Sequence, residues 1–578
     1  MKEENINSRA YSAYISIFIS ILSFVALFIC MPREFGIFDE GIITSSASLM
    51  LAGKLVHRDF FSVYGPGQYA VVAALYKVFG SGFMVPRLYD LLVRSIVIGT
   101  VYFTVSIFNK PTVSIFYTIV VGLWMISSGN YLYPVFPCIL ITILGSHILS
   151  GILASNQFSL RLGICGALTG IAALIRYDVG FILMVSHLAA IALVICFRQD
   201  LPQKWRLTLR STAIYIVGVT VVFLPVAIYF VSTSPIRPFI EDVVDYATKI
   251  YPQMRGWPFP GLSVLRTNPY DLAVYLPMLT IALMAVEVFR PASARPKFVE
   301  SLATRDRPSI YLVVFGILTV ALFFKGIVRI SALQMLLSIV PSIVVLSILA
   351  GLWWNRGKVA RAATVAMALL ALAPAVLDAK QWFGQSLHTP DRTIAGWMAV
   401  RAGVVKAPVA FRERCQYGPA SGIAWFSEDY ARAASYLGAH SREGEKILVG
   451  LNRHDRIFIN PIGLYFASGR LPATHWFEFE PGLQTRADIQ NDMVAELARE
   501  RVRWVVRDAT TDGVREPNGS SRSSGVRILD RYLDANYRPV AASGKVIIWL
   551  INGETAPTVS ASARCEASPI VQSVSKAL

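Results

Sequence analysis

The chain has 578 residues, of which 54% are hydrophobic and only 16% charged. Soluble globular domains carry roughly 25% charged residues, so this composition excludes an ordinary soluble protein and requires much of the surface to face lipid. The net charge of +17 would suggest nucleic acid in a soluble chain. Here it is read as topological, because cytoplasmic loops of membrane proteins collect Lys and Arg, and no nucleic-acid partner is expected.

A helix needs about 20 apolar residues to cross a bilayer. Eleven candidate spans follow in order: 12–31, 91–108, 111–128, 132–154, 160–175, 180–197, 211–231, 271–289, 309–324, 330–353 and 362–378. Segments 160–175 and 309–324 are short, and flanking Arg161, Arg176 and Lys325 would have to snorkel. Behind the first run stands Met31-Pro32-Arg33-Glu34 rather than a small-residue cleavage site, so it is read as a retained span. With the N-terminus inside, the cytoplasmic connections are 109–110, 155–161, 198–210, 290–308 and 354–361, and they hold Lys110, Arg161, Arg198, Lys204, Arg305 and Arg356 among other cations. The alternation accommodates every span. It predicts a multi-pass protein of the bacterial inner membrane, with a cytoplasmic N-terminus and a periplasmic C-terminal domain.

Two opposite connections are long. In loop 32–90, helices over 42–52 and 68–79 flank the turn Tyr64-Gly65-Pro66-Gly67, and both are too short to span, which predicts that they lie in the membrane interface. Loop 232–270 carries Tyr246, Tyr251 and Trp257. The chain divides into a transmembrane module over 1–379, an extracytoplasmic α/β domain over 380–553 and a disordered tail over 554–578. In the α/β domain, helices at 427–440, 486–501 and 526–536 alternate with strands at 446–450, 503–506 and 546–550, which predicts a largely parallel sheet. Its loop 515–525 reads as polar and flexible. Four of the six cysteines lie in apolar runs, whereas Cys415 and Cys565 fall in the C-terminal region, where a disulfide is left open.

Four clusters at the trans ends of the spans could carry chemistry. Asp39 and Glu40 follow the first span between Gly36 and Gly41; apolar neighbours would desolvate them, raising a carboxylate's pKa and suiting it to general-base work. Arg58 and Asp59, behind His57, form either a structural clamp or a substrate contact. Arg176 and Asp178 close the fifth span, either as a hairpin cap or as a second acidic site facing the cavity of Asp39. Lys325 and Arg329 stand four residues apart, on one face of a helix, where they could hold a phosphate; Arg87 and Arg94 are weaker candidates of that kind. Acids beside phosphate-binding cations describe a sugar linked to a lipid phosphate: the cations stabilise the leaving phosphate while a carboxylate deprotonates an acceptor hydroxyl.

Phe38-Asp39-Glu40-Gly41 after the first span, then Gly53, Arg58-Asp59-Phe60 and Tyr64-Gly65-Pro66-Gly67, resembles the GT-C superfamily of polyprenyl-phosphate-sugar-dependent glycosyltransferases. These include the protein mannosyltransferases, the aminoarabinose transferases of lipid A and the rhizobial lipopolysaccharide-core transferases. The resemblance implies a polytopic helical bundle, an inverting transfer from an undecaprenyl-phosphate sugar, Asp39 as catalytic base and Glu40 as its neighbour. It carries the phosphate-binding cations onto Lys325 and Arg329 and the second acidic site onto Asp178; Arg87 for the phosphate, Arg176 beside Asp178, and Arg58, Asp59 and Tyr64 in the first loop join as candidates from the residues themselves. It leaves the acceptor open among a cell-envelope glycan, a glycolipid such as lipopolysaccharide, and protein. No cofactor is expected, and a divalent cation is left open. The rival readings are a lipid or solute transporter or flippase, and a non-catalytic assembly scaffold.

Overall fold

The computed structural model describes residues 2–127, 130–155, 158, 160–234, 236–261, 269–289, 298–354, 356–388, 393–394, 402 and 428–556. Long apolar runs become helices because lipid offers backbone groups no partner but one another, and Pro225, Pro341 and Pro374 are accommodated inside them. Eight described helices are long and apolar enough to cross a membrane, and three shorter apolar ones, Pro111–Ile126, Arg161–Ile175 and Leu272–Val288, occupy other expected spans. The labelled elements are α1 (Lys2–Cys30), α2 (Asp39–Leu51), α3 (Pro66–Phe79), α4 (Met84–Val105), α5 (Pro111–Ser127), α6 (Val135–Ser155), α7 (Arg161–Ile175), α8 (Tyr177–Phe197) and α9 (Lys204–Thr233). Helices Leu276–Val288, Arg307–Gly326, Ala332–Trp353 and Lys358–His388 follow. The span expected at 309–324 therefore has full length, because Asp306 caps it through Ser309 N and Pro308 starts its first turn. The last helix runs to His388, past the boundary drawn at 379.

The C-terminal domain carries five strands, β1 (Lys446–Leu451), β2 (Leu471–Pro472), β3 (Trp504–Asp508), β4 (Tyr537–Ser543) and β5 (Val546–Ile551), in the order β2-β1-β3-β5-β4. Only the β1–β2 and β1–β3 pairs are parallel. The largely parallel expectation fails at β5, which pairs antiparallel with both β3 and β4. The reason is a tight β4–β5 hairpin, with Gly544 at positive φ in its turn, that needs no crossover helix. The helices of this domain are Glu428–His440, Gly463–Ser468, Ala487–Arg499 and Ile528–Asn536. Cys415, Cys565 and residues 557–578 lie outside the described residues.

The first loop and the C-terminal domain share one core. Phe35, Ile42, Tyr69 and Tyr76 cluster with Leu464, Tyr465, Phe466 and Phe477, and the Tyr76 and Phe466 rings stack at 5.9 Å. Helix α2 consequently does not lie in a lipid interface: residues 40–47 are all buried, and its Gly41 meets the helix Gly463–Ser468 so closely that a Cβ would fall 2.5 Å from Gly463 N. Helix α3 keeps an exposed apolar edge at Val71, Val78 and Phe79, as an interfacial helix should. Loop 515–525 is likewise anchored, since Asn518 donates to Gly256 O at 2.9 Å and Glu516 pairs with Arg329 at 2.8 Å.

Candidate active site

Asn130, Arg255, Arg329 and, from the C-terminal domain, Glu480 act on Asp39, and Asp39 and Arg176 both act on Tyr64 of the first loop. Asp39 opens α2 and is half-buried, with Oδ2 accepting from Asn130 Nδ2 at 3.0 Å. Burial raises its carboxyl to about 6; Arg255 and Arg329 pull it down, and Glu480 pushes it up. Such a group is ionised near neutral pH and is still a usable base.

Glu40 meets a different fate. It is 1% exposed, and Arg87 grips both its oxygens, Nε to Oε1 at 2.5 Å and Nη2 to Oε2 at 2.7 Å, while Gly36 N donates to Oε2 at 2.9 Å. The same guanidinium also donates to Pro32 O and Glu34 O and lies between the rings of Phe83 and Tyr131. Arg87 is fully buried and committed to its own loop, so it offers no open face to a donor phosphate. Arg94 is committed too, to Asp90, Met125 O and Asn130 O. By holding the Asn130 carbonyl it fixes the turn whose amide reaches Asp39.

Arg176 lies between α7 and α8 and donates through Nε and Nη2 to Asp178 at 3.1 and 2.9 Å. Its Nη1 is buried without a hydrogen-bond partner. Lys325 Nζ stands 3.4 Å from Asp178 Oδ2, so two cations flank one carboxylate. The Tyr64 ring lies 5.5 Å from the Arg176 guanidinium and edge-on to Tyr133 at 6.4 Å. Gly65 delivers Tyr64 there: its N donates to Ile175 O at 3.1 Å, and a Cβ would sit 2.1 Å from Leu174 O.

Lys325 and Arg329 do not share a helical face. The helix ends at Gly326, and Arg329 turns away into a bridge with Trp257, donating to Glu516 and to Arg255 O. Arg58 and Asp59 close a local turn, with Asp59 accepting from Arg58 at 2.6 Å and from Leu55 N at 2.7 Å. Their neighbour His57 is buried at φ 63°, bonded to Asp242 at 2.9 Å and Tyr177 at 3.2 Å. Burial lowers its pKa to about 4.

The C-terminal domain adds residues that the motif reading passed over. Glu480 receives Arg255 Nε at 3.0 Å and Tyr246 OH at 2.8 Å. Glu478 is fully buried. The signal lay in His475-Trp476-Phe477-Glu478-Phe479-Glu480, where acids alternate with aromatics in an apolar stretch. Among the described residues, no group of three or more His, Cys, Asp or Glu could hold a metal ion.

No protein-family model and no curated protein matches the sequence. Among solved structures, ArnT from Cupriavidus metallidurans bound to undecaprenyl phosphate aligns over 94% of this chain and 99% of its own, with TM-score 0.53 and 15% identity. This chain shares the fold of that ArnT over nearly its whole length. The apo state of the same ArnT aligns over 93% and 97% at TM-score 0.49 and 15% identity. The archaeal oligosaccharyltransferase AglB from Archaeoglobus fulgidus, in complex with an inhibitory peptide and a dolichol-phosphate, aligns over 87% and 70% at TM-score 0.45 and 14% identity. The shared fold agrees with the expected polytopic bundle with a C-terminal α/β domain; the chemistry has to come from the residues of the site.

Proposed function

We propose that this protein is a GT-C membrane glycosyltransferase that moves a sugar from a polyprenyl-phosphate donor to an acceptor hydroxyl, with Asp39 as general base. The observation that carries this reading is that a half-buried Asp39 with no ion-pair partner and the Arg176–Asp178–Lys325 cluster, whose Arg176 Nη1 has no hydrogen-bond partner, both act on Tyr64. ArnT bound to undecaprenyl phosphate is the solved structure most relevant to the donor. The donor phosphate sits against Arg176 and Lys325, which neutralise it as it departs. Asp39 takes the proton of the acceptor hydroxyl, the acceptor oxygen bonds to the anomeric carbon, and the anomeric C–O bond breaks with its electron pair leaving on the lipid phosphate. A single displacement of this kind inverts the anomeric centre. Glu40 and Arg87 brace the loop that holds Asp39, and Arg329 joins the domain to the bundle through Glu516. The cation-rich connections face the cytoplasm, so the cleft opens on the periplasmic side of a bacterial inner membrane. The acceptor is a cell-envelope glycan or glycolipid.

Mass spectrometry of envelope glycolipids from a deletion strain tests the proposal. One sugar should be missing and should return with the wild-type gene. Purified protein should bind undecaprenyl phosphate, and Arg176→Ala should weaken binding by about 10- to 100-fold, the worth of one charge-assisted hydrogen bond. An unchanged glycolipid profile together with no lipid-phosphate binding ends the proposal.

A further inference from the structure

Among the described residues, one buried acid has neither carboxyl oxygen hydrogen-bonded. Glu478 is fully buried, yet neither carboxyl oxygen has a hydrogen-bond partner. Other polar groups of its segment are satisfied: Glu478 O accepts from Gln484 Nε2 at 2.7 Å, Phe479 N donates to Asn460 Oδ1 at 3.1 Å, and Glu480 N donates to Gln484 Oε1 at 2.9 Å. The backbone is therefore pinned on both sides of a side chain that makes no hydrogen bond of its own. Buried polar groups are nearly always satisfied, and the exceptions call for a functional explanation.

The surroundings say which one. The charge of Asp39 reaches Glu478, and Glu478 acts in turn on the phenols of Tyr64 and Tyr69. Tyr64 also covers the Arg176 guanidinium at 5.5 Å. Tyr64 thus covers an orphan donor, Arg176 Nη1, and packs against the core that holds Phe477, the neighbour in sequence of the orphan acceptor Glu478. The donor suits an anion. The carboxyl suits a ligand rich in hydroxyls.

We propose that Glu478 is a hydroxyl-binding residue of the transferase site, supplied by the C-terminal domain to grip a sugar substrate while Arg176 and Lys325 hold the donor phosphate. Burial holds the Glu478 carboxyl well above the ordinary range, so it is protonated when empty. A protonated carboxyl donates one hydrogen bond and accepts others, which matches a pair of neighbouring sugar hydroxyls. The hydroxyls belong either to the transferred sugar or to the acceptor glycan. This assignment rests on the glycosyltransferase reading above.

The test compares Glu478→Met and Glu478→Gln in the full-length protein. Methionine fills the volume without polar atoms, and glutamine keeps one donor and one acceptor group. Three quantities are read: thermal unfolding, binding of undecaprenyl phosphate without sugar, and restoration of the missing glycolipid in the deletion strain. Glu478→Met is expected to unfold at the wild-type temperature or above it and to bind undecaprenyl phosphate within about twofold. Transfer should fall by about 10- to 100-fold, as for a site that loses its partner to a substrate hydroxyl, and Glu478→Gln should recover part of it. In membranes, a raised KM for the lipid-linked sugar assigns the hydroxyls to the donor, and a raised KM for the acceptor assigns them to the acceptor. Full transfer by Glu478→Met overturns the proposal. So does a fall in unfolding temperature that tracks lost transfer in both variants, which makes the residue structural. Failure of the wild type to bind undecaprenyl phosphate strikes the glycosyltransferase reading instead.

Discussion

Replacing Asp39 with Asn separates the chemistry of this site from its architecture. The carboxyl is raised from 3.8 to about 6. Between those values the folded protein binds a proton that the unfolded chain has released, so stability falls as pH rises through that window. The full cost of ionising Asp39 is about 3 kcal/mol, taking 1.36 kcal/mol for each pH unit. Asp39→Asn keeps an oxygen for the Asn130 amide and removes that cost. At pH 4 the variant and the wild type should unfold at nearly the same temperature, since both are neutral at this position. At pH 8 the variant should be the more stable by a few degrees. Transfer should move the other way: loss of a general base costs about 10²- to 10⁴-fold. The wild-type rate should rise with pH around a midpoint near 6, and the residual rate of the variant should lack that limb. Purified protein in nanodiscs, unfolded and assayed across pH 4 to 8, yields both profiles. A variant that keeps transfer within threefold, or a wild-type profile flat through pH 6, would refute the assignment of Asp39 as base.

Three further substitutions act on the same site. Glu480 raises the Asp39 carboxyl and Arg255 lowers it, so Glu480→Gln should move the acidic limb of the rate profile below 6 and Arg255→Met should move it above 6, read from initial rates across pH. Gly65→Ala would drive a Cβ to 2.1 Å from Leu174 O; the turn must give way at a cost of about 1–3 kcal/mol, and loss of Tyr64 from the Arg176 face should cut transfer at least tenfold while the helical content by circular dichroism stays at the wild-type level.

The spans were legible because lipid imposes a length and a composition that few other structures require. The position of Asp39 was legible too, because an acid pair after the first span, between two glycines, has few reasons to be there. Its division of labour was not. Asp39 and Glu40 are neighbours in sequence, but the first turn of α2 sends one toward Asn130 and the other into Arg87, and nothing local says which is which. Lys325 and Arg329 misled for a different reason. Their spacing fits one helical face only while the helix continues, and it stops at Gly326. The mixed sheet escaped because Tyr537–Ser543, broken by Pro539 and poor in large apolar residues, does not read as a strand without its partner β5. Glu478, Glu480 and Arg255 are long-range additions whose meaning depends on docking across more than two hundred residues of chain, as the Arg255–Glu480 bond shows.

The docking itself bears on the chemistry. Two arginines act on Asp39, and a free guanidinium beside it would hold its carboxyl low and make it a poor base. Each is instead engaged by an acid of the C-terminal domain: Arg255 with Glu480 at 3.0 Å and Arg329 with Glu516 at 2.8 Å. The domain so masks the cations nearest the base, and the acid it adds at Glu480 raises the Asp39 carboxyl further. At the other side of the cleft one carboxylate, Asp178, faces two cations, Arg176 and Lys325, which leaves positive charge for an anion. The base end is kept short of positive charge and the phosphate end is kept in excess of it. That asymmetry is what a displacement at a sugar phosphate needs, because the proton is taken at one end while negative charge collects at the other. A C-terminal domain that served only as a cover would have no reason to spend Glu480 and Glu516 on these two arginines.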